Sequence, residues 1–120
     1  MAHPANPGDD KLRAQIRQWL DDPAAAYEAF ARVKFKVTPI RKRFRVSPRQ
    51  LERIFNEEVG KPAMRWMREV RFERTKELLR GGWHLDYAAK KVLYSASSNF
   101  CREFKAMTGE TPGEYQARFV

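Results

Sequence analysis

Ser47-Pro-Arg-Gln-Leu-Glu-Arg-Ile-Phe-Asn-Glu-Glu-Val-Gly60 is a helix with both of its ends written into it. Serine before proline is an N-cap followed by the one residue whose missing N–H costs nothing in a first turn. Gln50 stands three positions on, where its side chain closes a capping box. Gly60 supplies a left-handed position after the last turn without a Cβ clash. Between these marks Leu51, Ile54 and Phe55 share one face, leaving Arg49, Arg53 and Asn56 on the opposite one and Glu52 at its flank. Such a helix packs by its apolar side and presents a cationic one.

The pattern returns 49 positions later, where Leu51 aligns with Phe100, Arg53 with Arg102, Phe55 with Phe104, Gly60 with Gly109 and Trp66 with Tyr115. The second copy is expected to bury Phe100, Phe104 and Met107 and to expose Ser98, Arg102 and Lys105. A short helix precedes each: Pro39 to Phe44 before Pro48 to Val59, and Leu85 to Val92 before Ser97 to Met107, with three or four linking residues in each case. Short helix, tight connection and second helix make a helix-turn-helix, whose second member fits a major groove about 12 Å wide. Pro62 to Leu79, with Ala63, Met67, Val70 and Leu78 along one stripe, predicts a long helix between the two copies.

Ahead of the first copy, Leu12, Ile16, Trp19 and Leu20 predict a first helix with Arg13, Arg17 and Gln18 turned out, closed by Asp21-Asp22-Pro23. Pro23 to Lys36 reads as helix, although the alternation from Val33 to Val37 also suits a short strand. Thr38-Pro39 and Thr111-Pro112 repeat the cap signature, Thr111 with Glu114 as its box partner, and Gly81-Gly82 marks another helix end. The expected organisation is a flexible tail over residues 1–10, a first helix-turn-helix lobe over 11–61, a linking helix over 62–80 and a second lobe over 81–120. The fold class is all-α: a bilobed, homeodomain-like double helix-turn-helix of about seven helices.

Composition narrows the function. In 120 residues there are 24 Lys and Arg against 15 Asp and Glu, a net charge of +9, which favours a polyanionic partner. The 42% of hydrophobic residues suit a folded domain rather than a disordered basic tail. A single cysteine, Cys101, permits no internal disulfide and no multi-thiolate zinc site, so a reducing cytoplasm is the expected compartment. The longest uncharged stretch, Val92 to Cys101, is half the roughly 20 apolar residues of a spanning helix, and Met1 to Asp10 has no apolar signal core. His84 has no metal-ligand partner at helical spacing, and Glu57-Glu58 has no nucleophile or base arranged around it. No enzyme activity, cofactor, metal or small-molecule site is expected. Arg71, inside the apolar stripe of the long helix, reads as a structural, paired arginine.

The ordered set Val46-Ser-Pro-Arg-Gln-Leu-Glu-Arg-Ile-Phe55, Gly60, Arg71-Phe72 and Leu78-Leu79, followed by Phe100-Cys-Arg-Glu-Phe-Lys105, Gly109 and Thr111-Pro112-Gly-Glu-Tyr115, resembles the DNA-binding domain of AraC/XylS-type bacterial transcription regulators. The resemblance covers residues 38 to 116. It implies two recognition helices, here Pro48 to Glu57 and Ser97 to Lys105, entering successive major-groove segments of one duplex. Arg41 stands where that family has a small alanine, and Arg45 and Leu93 where its turns have glycine. Those turns are therefore either rebuilt or hold a non-glycine residue at positive φ. Residues 21 to 37 are longer than the family's corresponding segment.

Arginine bonds the O6 and N7 of guanine bidentately and asparagine reads adenine. Arg49, Glu52, Arg53, Asn56, Ser98 and Arg102 are the candidate base-facing residues. Arg41, Lys42, Arg45, Ser47, Lys90, Lys91, Lys105 and Thr111 are the candidate phosphate contacts, set against the plainer reading of a solvated basic face. The implied function is a cytoplasmic, nucleoid-associated transcription regulator on double-stranded DNA, with RNA polymerase a candidate second partner and no membrane. The alternative is an architectural module that coats nucleic acid without base preference.

Overall fold

The computed structural model describes residues 7–120, which form eight α-helices and, among those residues, no strand. They fall into two compact units divided between Val70 and Arg71. The first contains α1 (Pro7–Asp21), α2 (Pro23–Arg32), α3 (Val37–Phe44), α4 (Pro48–Val59) and the start of α5 (Ala63–Arg80). The second contains the rest of α5 with α6 (Leu85–Lys91), α7 (Ser97–Thr108) and α8 (Pro112–Ala117). The architecture is an all-helical double helix-turn-helix. Helices α3 and α4 form one motif, α6 and α7 the other.

The described residues hold eight helices against about seven expected, and α2 starts at Pro23 as expected, capped by Asp22. The Asp22 side chain accepts from the Ala25 N–H at 3.2 Å, and Pro23 fills the first position, where no N–H is needed. The tail expected over residues 1–10 is already helical from Pro7; residues 1–6 lie outside the described part. Asp9 and Asp10 occupy the first turn of α1, where the helix dipole favours carboxylates. Neither a helix to Lys36 nor a strand over Val33 to Val37 forms. Helix α2 stops at Arg32, and Lys34 and Phe35 turn left-handed at φ +54° and +56°. That turn sends the Phe35 N–H back to the Phe30 carbonyl at 2.8 Å and buries the Phe35 ring. Thr38 is likewise not a cap: α3 begins at Val37 with Lys36 at its N-cap and no side-chain bond there, and Pro39 lies in the first turn, whose N–H groups have no helical partner.

The first core is aromatic. Trp19 meets Phe30 edge-on at 5.1 Å between ring centres, Phe30 meets Trp66 edge-on at 5.3 Å, and Trp66 lies 6.0 Å from Phe55. Leu12, Ile16, Leu51, Ile54 and Met67 close around them. Leu20, expected on the buried face of α1, is 42% exposed, since it stands about 100° round the helix from Trp19 at the edge of the stripe. In the second unit Phe100, Phe104, Leu78, Leu79, Ala88, Ala89, Val92 and Tyr115 are buried. Phe104 lies between Phe72 at 5.1 Å and Tyr115 at 5.4 Å. Buried Thr75 donates its hydroxyl to the Arg71 carbonyl, which leaves no unmet polar group there. Met107, expected to be buried, is 39% exposed. Its counterpart 49 positions earlier is Glu58, so within α4 and α7 the repeated buried pairs are 51/100 and 55/104, and Trp66 and Tyr115 repeat beyond them.

Candidate nucleic-acid interface

Both helix-turn-helix turns hold a non-glycine residue left-handed. Arg45 takes φ +55°, its N–H donating to the Lys42 carbonyl, while the Val46 N–H reaches the Arg41 carbonyl at 3.2 Å. Val46 is buried and anchors the turn, and Arg41 Nη1 donates to the Val46 carbonyl at 3.4 Å. The guanidinium of Arg41 therefore braces the turn, which accounts for an arginine at this half-buried position. Ser47 then caps α4 with a complete capping box: its hydroxyl accepts from the Gln50 N–H at 3.1 Å and its own N–H donates to Gln50 Oε1 at 2.7 Å.

Helix α4 buries Leu51, Ile54 and Phe55 completely and exposes Arg49, Arg53 and Asn56. Glu52 is half-buried, and its Oε2 accepts from the Ala63 N–H at 3.3 Å, capping the first turn of α5. Asn56 Nδ2 donates to the Glu52 carbonyl at 2.8 Å. Arg53 Nη2 donates to Asp9 Oδ2 at 3.1 Å, with Glu57 3.9 Å from its Nε. Arg49 has no carboxylate partner among the described residues.

Two arginines expected to face solvent also fasten α1 to α4, Arg17 while staying exposed and Arg13 partly covered. Arg17 grips Glu58 with two bonds of 3.0 Å, and Arg13 reaches Glu57 at 2.6 Å and Glu58 at 3.2 Å. The Arg17 guanidinium, with Arg13 beside it, holds the Glu58 carboxyl below the usual carboxylate range. Glu57 in turn raises Arg13, and Glu58 raises Arg17. Sequence spacing gave no signal for these pairs, which join residues more than forty positions apart.

The second unit reaches the same geometry with different chemistry. Leu93 takes φ +68° and Tyr94 N–H returns to the Ala89 carbonyl at 2.9 Å. Arg71 is the structural arginine expected: its Nε donates to the Val92 carbonyl at 2.9 Å and its guanidinium lies 3.7 Å from the Tyr94 ring centre. Tyr94 passes the tie onward, its hydroxyl donating to Glu103 Oε2 of α7 at 3.0 Å. The connection is longer than in the first motif, running from Val92 to Ala96, and Ala96 gives α7 no side-chain cap. His84 caps α6, its Nδ1 accepting from the Asp86 N–H at 3.2 Å.

Ser98, Arg102 and Lys105 are exposed on α7, and Cys101 beside them is partly covered. Arg102 has no carboxylate partner among the described residues. Lys42, Arg45 and Ser47 are exposed around the first turn, and Lys90 and Lys91 at the end of α6. Thr111 caps α8, accepting from the Glu114 N–H at 3.1 Å; its hydroxyl donates to the Glu114 carboxylate, so the expected box closes through the side chain rather than the backbone. Each unit thus offers a helix with donors on its free side and cations at its turn, a set suited to base edges and phosphates. No group of His, Cys, Asp and Glu that could hold a metal occurs among the described residues, and none of their helices is long and apolar enough to cross a membrane.

Residues 40–118 match the family described as Helix-turn-helix domain, of the AraC type. Over 78 residues the chain is 32% identical to the uncharacterized HTH-type transcriptional regulator YpdC of Escherichia coli, strain K12. That match covers 63% of this chain and 27% of that protein, so the chain spans about a quarter of its relative's length. No solved structure matches the chain.

Proposed function

This chain belongs to the AraC-type helix-turn-helix family, and from that premise we propose that it is a sequence-specific transcription regulator of double-stranded DNA. Its α4 and α7 act as recognition helices in successive major-groove segments. Arg49, Arg53 and Asn56 on α4, and Ser98 and Arg102 on α7, meet base edges. Lys42, Arg45, Lys90, Lys91 and Lys105 meet phosphates. Ser47 and Thr111 act mainly as the caps of α4 and α8, and Arg41 and Glu52 by holding the turn and the start of α5. The proposed activity is binding, exerted on nucleoid DNA in the cytoplasm.

One observation carries this reading. Helices α4 and α7 are both 12 residues long, lie 49 positions apart from first residue to last, follow a left-handed turn, and end on glycine at φ +85° and +81°. The two helices keep buried positions in register and also keep exposed arginine in register, at Arg53 and Arg102. Core packing explains the first regularity but not the second, in which Arg53 is held at one donor by Asp9 and Arg102 has no carboxylate partner among the described residues. Selection from a random duplex library, followed by footprinting, tests the proposal. The expected result is a bipartite motif with two protected patches one helical turn apart. Recovery of no motif, with binding that follows charge alone, would leave a non-specific module in its place. If about 6 to 10 phosphates are met, affinity falls by roughly 10³ to 10⁵ between 50 and 200 mM salt.

A further inference from the structure

Resting on the reading of α4 as a recognition helix, we propose that Asp9, in the first turn of α1, is a positioning residue for base readout. It holds the Arg53 guanidinium from behind while the arginine presents its free donors to a guanine edge. The contact is direct, Arg53 Nη2 to Asp9 Oδ2 at 3.1 Å. Burial gives it a direction: the Asp9 side chain is 14% exposed and that of Arg53 is 53% exposed. The carboxylate therefore lies on the protein side of the cation. Asp9 Oδ1 is buried with no hydrogen-bond partner among the described residues, and Oδ2 is the oxygen that accepts from Arg53. A carboxylate that competed with phosphate for Arg53 would show the reverse, covering the arginine and standing outermost.

Donor arithmetic agrees. Arginine has five N–H groups. Asp9 takes one, and Glu57, 3.9 Å from Nε, is too distant for a hydrogen bond. Four remain, enough for the parallel pair that meets O6 and N7 of guanine. A free arginine spreads over many rotamers and loses that freedom on binding, whereas one tied by Asp9 has lost it on folding. Helix α1 lies outside the residues matched by the family, so this element belongs to the chain's own N-terminal helix.

The test is library selection with the full chain carrying Asp9→Asn, Arg53→Ala, Arg53→Lys, or Asp9→Asn with Arg53→Ala, each checked for an unchanged melting curve. Arg53→Ala should relax one base pair of the motif. Asp9→Asn should relax that same base pair about tenfold and no other, and should add nothing to Arg53→Ala. Arg53→Lys keeps the ion pair without the planar fork, and should lose the preference as alanine does. If Asp9→Asn leaves that base pair unchanged, or tightens binding to every sequence alike, the positioning role is overturned while the recognition helix stands. If Arg53→Ala relaxes no base pair, the role assigned to Arg53 falls together with it.

Discussion

Arg45 and Leu93 adopt the same left-handed backbone, φ +55° and +68°, at the turn of the first and second helix-turn-helix. Two unlike side chains, one cationic and one aliphatic and both exposed, share a conformation that each bears at a cost of about 1 kcal/mol or more. The turn therefore dictates the conformation and the residue accepts it. The resemblance left two outcomes for these positions, rebuilt turns or strained ones, and the chain takes the second.

Glycine at either site removes the Cβ clash and adds unfolded-state entropy worth about 0.4 to 1 kcal/mol. The net expectation for Leu93→Gly is a gain near 0.5 kcal/mol and a melting temperature higher by roughly 2 °C. Arg45→Gly should gain similarly while weakening DNA binding, because it also removes a proposed phosphate contact. Thermal melts and salt titrations of both variants check this. A lower melting temperature for Leu93→Gly would show that its half-exposed side chain outweighs the strain.

Phe30 links the edge-on pairs Trp19–Phe30 and Phe30–Trp66 and is completely buried. Phe30→Ala removes both pairs and opens a cavity in a core of few elements, at an expected cost of about 3 to 5 kcal/mol. Chemical denaturation followed by tryptophan fluorescence reports it directly, since both partners are tryptophans. A loss below about 1 kcal/mol would mean that α2 packs on the first core only loosely.

The motif core and its caps could be read from spacing because both are local: a cap needs Ser47 and Gln50, and a buried face needs Leu51, Ile54 and Phe55. Elements joined by distant residues could not. Asp9 looked like part of a tail because its partner, Arg53, is 44 positions away. Arg13 and Arg17 fell on the polar side of α1, and periodicity cannot tell a solvated arginine from one gripping a neighbouring helix. Glu52 was placed at the flank of the exposed face correctly, but its carboxylate bonds to the N–H of Ala63 in the next helix. The end of α2 escaped because Phe35 is buried through a left-handed turn, which no residue of the Lys34-Phe35 pair announces.

Acid should loosen α1 from α4. Glu58 has its folded pKa lowered by Arg17 and Arg13, so it binds protons less readily folded than unfolded. Its stabilisation is present above the ordinary carboxylate range and is lost as pH falls through the folded value. Wild type should therefore be more stable than Glu58→Gln at pH 7, and the two should converge as pH drops from about 5 toward 3. Melting temperatures across that range decide it. A difference that stays constant with pH would assign the effect to packing rather than charge.

Glu52 and Arg102 make opposing claims on the two observables, stability and base preference. Glu52 is half-buried and spends one carboxylate oxygen on the Ala63 N–H, so Glu52→Ala should cost about 1 kcal/mol of stability and leave the selected motif unchanged. Arg102 is exposed on α7 without a carboxylate partner among the described residues, so truncating it removes nothing that holds the fold. Arg102→Ala should leave the melting temperature within a degree or so, yet cost roughly 1 to 3 kcal/mol on the selected duplex and relax one base pair. Denaturation curves and competition binding on selected and random duplexes separate the two variants. Equal losses for Arg102→Ala on both duplexes would make it a phosphate contact, and a motif altered by Glu52→Ala would return Glu52 to the reading face.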